Sequence, residues 1–290
     1  MRYEFIRAHR NDYSISRMCT VLGVSPSGYY AWCARPISCR AQANAALLTE
    51  IRAVHTASRQ TYGSPRIHAE LRARGFSTSK NRVARLMRAA RIRARRKTKR
   101  KVVTTDSQHR FPVAPNHLNR DFTASRPNEK WLTDITYIAT AEGWLYLAVV
   151  MDLFSRRIVG WAMEASLESS LVEKAFQMAV QNRRAIQGLL HHSDRGSQYA
   201  GAPYQTLLAA QHIQVSMSRT GNCYDNAPME SFFSTLKNEH VHFQDYQNRQ
   251  EAKTDIFAYI EGFYNRTRRH SSLGYLSPEE FEREYYKNLS

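Results

Sequence analysis

The sequence lacks any uninterrupted apolar run approaching the roughly 18 residues that a membrane span needs, and its opening, MRYEFIRAHRNDYS, carries no apolar signal core. A cytoplasmic protein is expected. Cysteine is sparse. Cys19, Cys33, Cys39 and Cys223 show no Cys-x-x-Cys spacing, which argues against a zinc ribbon or a disulfide framework and leaves them as reduced structural thiols. Acid is scarce in one half only: residues 1–130 hold 27 Lys/Arg against 7 Asp/Glu, leaving 15 against 18 for residues 131–290. A solvated surface normally mixes both signs, so charge this segregated points to a polyanionic partner, nucleic acid, for the first half and to separate chemistry in the second. A merely solvated basic tail would be poor in apolar residues, whereas this half has periodic apolar positions, and with 42% apolar residues the 290-residue chain is long enough for two or three packed domains.

Within the basic half the apolar positions are periodic. Ile15, Met18, Cys19 and Leu22 recur at helical spacing, Gly23 stops that helix, and Ser25-Pro26 starts another. The rhythm is that of a helix-turn-helix over residues 1–45, with Tyr29, Tyr30 and Trp32 expected in a small core rather than as a base-stacking platform. A second copy spans 46–101. Ile67 and Leu71 precede Gly75, and Ser79 is placed to cap a helix carrying Val83, Leu86 and Met87, with Lys80, Arg82, Arg85 and Arg88 on the opposite face. Between Lys80 and Lys101 stand 12 Lys/Arg and no acid, a face costly to form unless phosphates neutralise it. An ordinary helical hairpin with a solvated basic face remains the alternative for either module. Residues 102–124 lose the periodicity, contain Pro112 and Pro115, and read as a linker to a domain spanning 125–285.

That domain opens with WLTDITYIAT, followed by YLAVVMDLFSRRIVGWAM, two strands joined at Ser155-Arg156-Arg157. A helix follows with Leu171, Ala175, Met178 and Ala179 on one face, then a short strand, GLLHHSD, a helix-strand pair from Tyr204 to about Met217, and a helix beginning near Glu230. The order β-β-β-α-β-α-β-α predicts an α/β class, a mixed five-stranded sheet with helices on its faces.

Three acids stand out. Asp134 interrupts an otherwise apolar and hydroxyl-bearing strand, Asp194 ends the fourth strand, and Glu230 starts a helix after the turn-forming loop GNCYDNAP. Singly, Asp194 and Glu230 could be helix caps and Asp134 a salt-bridge partner. Together, three close carboxylates cannot all be ionised unless cations hold them, and oxygen-only ligands favour Mg²⁺ or Mn²⁺. His191, His192, Asp225, Asn226 and Ser231 stand close to these acids in sequence, and any of them could position DNA or water. Asp152 is read as structural.

This half resembles the integrase-like core of bacterial transposases, the second-frame products of the insertion-sequence family named after insertion sequence three, on WLTDITYI, HSDRGSQY, NCYDNAPMESFFSTLK and YNRTRRHSSLGYLSPEEFE, with Asp194 and Glu230 separated by 35 residues. The resemblance implies a ribonuclease-H-like fold behind small all-α helix-turn-helix modules. It implies a bacterial, nucleoid-associated enzyme that cuts element ends with water and joins the freed 3′-hydroxyl to target DNA. Asp134, Asp194 and Glu230 would be its catalytic and metal ligands for two Mg²⁺ ions, with Mn²⁺ as substitute. It adds Lys237 as a DNA contact; independently, Lys237 lies two helical turns from Glu230, on the same helix face. Double-stranded DNA and further copies of the chain are implied partners, and so is an upstream-frame protein, fused or associated, which would supply assembly because no long heptad run is present here. Unlike retroviral integrases, the chain shows no His/Cys zinc module. A nuclease or resolvase that cuts without joining, or a DNA-binding regulator derived from a transposase, remain alternatives.

Overall fold

The computed structural model describes residues 1–97, 111–183, 187–219 and 223–289. The run 98–110, which includes Lys101 and the start of the expected linker, lies outside that set, as do Gly221 and Asn222 of the loop before Glu230 and the side chain of Cys223.

Six helices form the basic half: α1 (Arg2–Ala8), α2 (Ile15–Leu22), α3 (Pro26–Ala34), α4 (Cys39–Ala57), α5 (Ser64–Ala73) and α6 (Lys80–Ala89). Their ends follow from local chemistry. Gly23 closes α2 in the left-handed conformation at φ 62°, which costs glycine little. Ser25 accepts from Gly28 N at 3.0 Å and Pro26 fills the first helical position of α3. Ser79 caps α6 through Arg82 N at 3.3 Å. Tyr29 is buried with Ile6, Met18 and Cys19, Trp32 packs on that cluster, and Tyr30 is exposed, so the aromatic trio serves mainly as a small core. Cys19 is a buried free thiol; Cys33 and Cys39 are exposed.

The second half is a five-stranded sheet of β1 (Lys130–Thr140), β2 (Gly143–Asp152), β3 (Ile158–Glu164), β4 (Leu190–Ser193) and β5 (Gln214–Met217), in the order β3-β2-β1-β4-β5. β1, β2 and β3 pair antiparallel, while β4 runs parallel to β1 and β5 to β4. This is the ribonuclease-H-like arrangement. The sheet is covered on both faces, so β2 is buried along nearly its whole length and reads as continuous apolar residues. Trp131, Ala148 and Val150 pack with α7 (Ser169–Arg183), α8 (Ser197–Ala200) and α9 (Ala202–Ala210). The alternate residues Leu132, Ile138, Leu147 and Val149 pack with α10 (Ala227–Glu239) and α11 (Arg249–Phe257). Gly160 on β3 lets α7 approach closely: a Cβ there would strike the Ala175 carbonyl and come within 2.7 Å of Ala179 N.

The chain after α10 continues as α11, a π-helical stretch Ala258–Tyr264 and α12 (Pro278–Lys287). Arg183 and Arg157 both bind Glu282 of α12, at 3.1 and 3.0 Å, fastening the last helix to the sheet domain. Asp152 lies beside them, fully buried. Loss of water pushes its carboxyl up to about 6, against the pull of Arg183 3.7 Å away, and its oxygens accept from Asn128 N and Phe154 N. It is a structural acid.

The second helical module is continuous with this body. Leu47, Ile51 and Val54 of α4, Ile67 and Leu71 of α5, and Val83 and Met87 of α6 belong to the same apolar cluster as Leu132 and Phe232. The helix α4 runs unbroken through residues 45 and 46. Part of the segment between module and sheet is likewise bonded to the domain: His117 N and Leu118 N both donate to Ser216 Oγ, and Leu118 is buried.

Candidate active site

Asp134 sits midway along β1 on the face shared by Leu132 and Ile138, the face that α10 covers. The parallel β1–β4 pairing ends at Leu132–His192 and β4 ends at Ser193; Asp134 and Asp194 each lie two residues beyond that last pair, and the charges of both carboxylates fall on one buried residue, Tyr199. Both side chains are half-buried. Asp194 Oδ1 accepts from Gly196 N at 2.9 Å, a turn that ends β4 and leads into α8. Glycine leaves room for that closure, since a Cβ at 196 would lie a tight 3.1 Å from the same oxygen.

Beneath the two aspartates lies Tyr199, buried, with its hydroxyl 3.3 Å from Thr133 Oγ1. Its phenol is held well above the usual range, first by burial and then by the negative charges of Asp134 and Asp194. Both carboxylates therefore act on one buried group, which stays neutral at physiological pH.

Glu230 occupies the first turn of α10, half-buried, after a 3₁₀ turn Cys223–Asn226. The start of this helix is pinned to β1 beside Asp134, because Asn226 Nδ2 donates to the Thr133 carbonyl at 3.3 Å. The preceding residue is pinned harder. Asp225, fully buried, accepts from Arg219 N, Nε and Nη2 (2.9, 2.9 and 2.8 Å), Arg120 Nε (2.9 Å) and Asn116 Nδ2 (3.0 Å). The Arg219 hydrogen bonds hold its carboxyl far below the usual range. Thus the positive end of α10 and its glutamate are directed toward the strand that carries Asp134.

The donor set around the aspartates is all oxygen, which suits a hard divalent cation. Imidazole is kept out of it. His191 Nε2 bonds Tyr204 Oη at 3.0 Å, and His192 bonds Ser216 and Ser218 at 2.8 and 3.0 Å. Burial lowers both rings, to about 3 and about 4, so they are neutral, fully buried core histidines. Among the described residues no three His, Cys, Asp or Glu side chains already converge on one ion position. The two adjacent aspartates are compatible with a shared ion, and Glu230 is the carboxylate on the element pinned next to them.

Lys237, half-buried on the last turn of α10, holds its ammonium 4.2 Å above the Tyr137 ring of β1. On α6, Lys80, Arg85 and Arg88 are exposed, whereas Arg82 is half-buried and gives its Nε to Asn44 Oδ1 at 3.0 Å. The Asp225 anchor was legible only in part. Asp-Asn before Ala-Pro suggests a helix start, but its arginine partners come from residues 120 and 219, and no local pattern announces them.

Two integrase core domain models match this chain, over residues 124–223 and 211–278, and an HTH-like domain model matches residues 42–100. The chain is 45% identical over 292 residues to the transposase InsF for insertion sequence IS3A of Escherichia coli K12, covering 100% of both chains. It is 47% identical over 270 residues to an uncharacterized 31 kDa protein of insertion element IS600 from Shigella sonnei, covering 93% of this chain and 99% of that one. Among solved structures, the catalytic core of HTLV-2 integrase in complex with magnesium (trimeric form) aligns at 15% identity and TM-score 0.43 over 55% of this chain and 99% of that one. The simian T-cell lymphotropic virus intasome in complex with PP2A regulatory subunit B56 gamma aligns at 13% identity and TM-score 0.46, over 80% of this chain and 74% of that one.

Proposed function

Because the chain belongs to the IS3 family of insertion-sequence transposases, integrase-type polynucleotidyl transferases, we propose that Asp134, Asp194 and Glu230 form its catalytic centre for cleaving element ends and joining them to target DNA. The observation that supports this reading is that the charges of Asp134 and Asp194, each two residues past the last β1–β4 pair, fall on one buried residue, Tyr199, with the start of the Glu230 helix tied to the residue before Asp134.

The three carboxylates would hold Mg²⁺, or Mn²⁺ in its place, as two ions that supply Lewis acidity at the attacked phosphodiester. The chain's own groups set the stage for it. The buried Tyr199, neutral, lies next to both aspartates and brings no charge of its own to compete with theirs. The helix α10 brings its positive end and Glu230 to the strand, with Asp225 fixing the entry angle. In cleavage, a water oxygen forms the new bond to phosphorus as the 3′-oxygen of the element end departs. In joining, that 3′-oxygen attacks a target phosphorus and the target's own 3′-oxygen leaves. Lys237, a donor only, steers a DNA phosphate toward the centre without ligating metal, and Lys80, Arg82, Arg85 and Arg88 on α6 hold the duplex. Several copies of the chain assembled on DNA, with an upstream-frame protein fused or associated, would bring the two element ends together. No described helix is long and apolar enough to cross a membrane, and the reading places the enzyme at the nucleoid.

The test is joining of a duplex ending in the element's flanking repeat to a plasmid, in Mg²⁺. Asp134→Asn, Asp194→Asn and Glu230→Gln each abolish both steps while leaving DNA affinity within about threefold, since they remove metal ligands and not phosphate contacts. A variant that still joins at near-normal rate would remove its residue from the centre. Lys237→Ala shows a different pattern, weaker joining at limiting DNA with Mn²⁺ uptake unchanged, and Lys237→Arg retains more activity.

A further inference from the structure

The basic run does not end with α6. At its C-terminus Arg91 turns the chain in the left-handed conformation, φ 56°, and residues 91–97 then cross the surface as a strap whose backbone is tied down at every second or third residue. Ile92 packs into the shared apolar cluster. His55 Nε2 donates to the Arg93 carbonyl at 3.0 Å, and Arg95 N donates to the Gln60 carbonyl at 2.7 Å. The Arg95 guanidinium lies 3.6 Å over the Phe243 ring. Lys97 N donates to the carbonyl of Asn238 at 3.0 Å, and His242 Nδ1 donates to the Lys97 carbonyl at 3.0 Å. The strap thus begins at the basic helix and ends on the last turn of α10, one residue from Lys237, although these positions are 140 residues apart in sequence.

A basic tail that only needs to be soluble has no use for such anchoring. Fixing the backbone removes part of the ordering entropy that binding would otherwise cost, which is useful only if the side chains act from defined positions. Arg91, Arg93, Arg95, Arg96 and Lys97 are all exposed, and no acid interrupts the run. We infer that the strap 91–97 is a DNA-backbone track that carries a duplex held on α6 to the C-terminal end of α10, with Arg93 and Arg96 as its phosphate contacts. The inference rests on the transposase reading, because it registers the bound DNA to the helix that carries Glu230 and Lys237.

The experiment measures affinity of the full-length protein for a mixed-sequence duplex across a salt series in EDTA, so that no chemistry intervenes. Each phosphate contact contributes roughly 0.9 to the slope of log affinity against log salt, so Arg93→Ala with Arg96→Ala lowers the slope by about 2. Arg93→Lys with Arg96→Lys restores it, because the charge is kept. Arg283→Ala with Lys287→Ala, which removes the same charge from α12, leaves the slope unchanged. An unaltered slope in the strap variant, an equal fall in the α12 variant, or no recovery with lysine would each overturn the inference. Failure of the catalytic reading would show separately, as joining that survives the carboxylate substitutions while the salt slopes behave as described.

Discussion

The two helical modules of the basic half share one sequence rhythm and differ in what owns their core. The first, α1 to α3, closes on its own four buried residues, Ile6, Met18, Cys19 and Tyr29, with Tyr3, Ile15, Leu22, Val24 and Trp32 packed around them. The second, α4 to α6, buries Leu47, Ile51, Val54, Ile67, Leu71, Val83 and Met87 in the cluster that also fills one face of the sheet. Polar bonds follow the same division. Tyr62 accepts from Arg269 N at 2.7 Å and donates to the Thr267 carbonyl at 3.2 Å. Arg269 Nε binds Glu70 at 2.6 Å, and Arg66 of α5 stands 3.6 Å from Glu239 of α10. The arginine-rich stretch near residue 268, which could be mistaken for a DNA contact, is largely the joint between module and domain. Helical patterning alone does not say whether a module stands alone; the difference is made by which other apolar faces fit it.

The largest effect that sharpens this contrast is expected at Glu239. Arg268, 3% exposed, binds it at 2.9 and 2.8 Å, so Glu239→Gln strands a buried charge and costs about 3–5 kcal/mol. The loss should appear in hydrogen exchange across α4 to α6 and the sheet together, with α1 to α3 unchanged; a loss confined to α10 would break the idea of a shared body. Next comes Ile51→Ala, a cavity in the common cluster worth about 2–5 kcal/mol. It should lower the main melting transition as a whole, whereas Met18→Ala lowers only the protection of residues 2–34. If Met18→Ala shifts the main transition equally, the first module is not independent. The smallest is Ser25→Ala, which removes the cap of α3 and costs about 1 kcal/mol, visible as faster exchange at Gly28 and nowhere in the sheet domain.

Much of the architecture was readable from short-range pattern. The alternation through Trp131 to Ile138, the helical spacing of Leu171 to Ala179 and the glycine and serine punctuation at Gly23, Ser25 and Ser79 each encode an element, because backbone geometry ties side-chain period to secondary structure. The carboxylates were legible only as a set: singly, Asp194 and Glu230 could be caps and Asp134 a salt-bridge partner, and it was the motifs around them with the 35-residue spacing that singled them out. His191 and His192 were not resolvable that way. Their neighbourhood to Asp194 suggested contact with DNA or water, but strand alternation and the partners Tyr204, Ser216 and Ser218 turn both inward. Nor could the sequence tell that Arg268 and Arg269 face Glu239 and Glu70 while Arg93 and Arg96 face solvent, since all four stand in equally basic runs.

By itself, then, the sequence determined the elements, the division of charge, the family motifs and the identity of three candidate acids. Each of these depends on residues near one another in the chain or on a recognisable spacing. Only the tertiary structure decided that Asp134 and Asp194 bring their charges to the same buried Tyr199, that Asp225 and Asn226 pin the helix of Glu230 to the strand of Asp134, and that the basic strap ends one residue from Lys237. Those relations arise from strand register and from burial shared between distant segments, and neither leaves a periodic trace in any one stretch of chain.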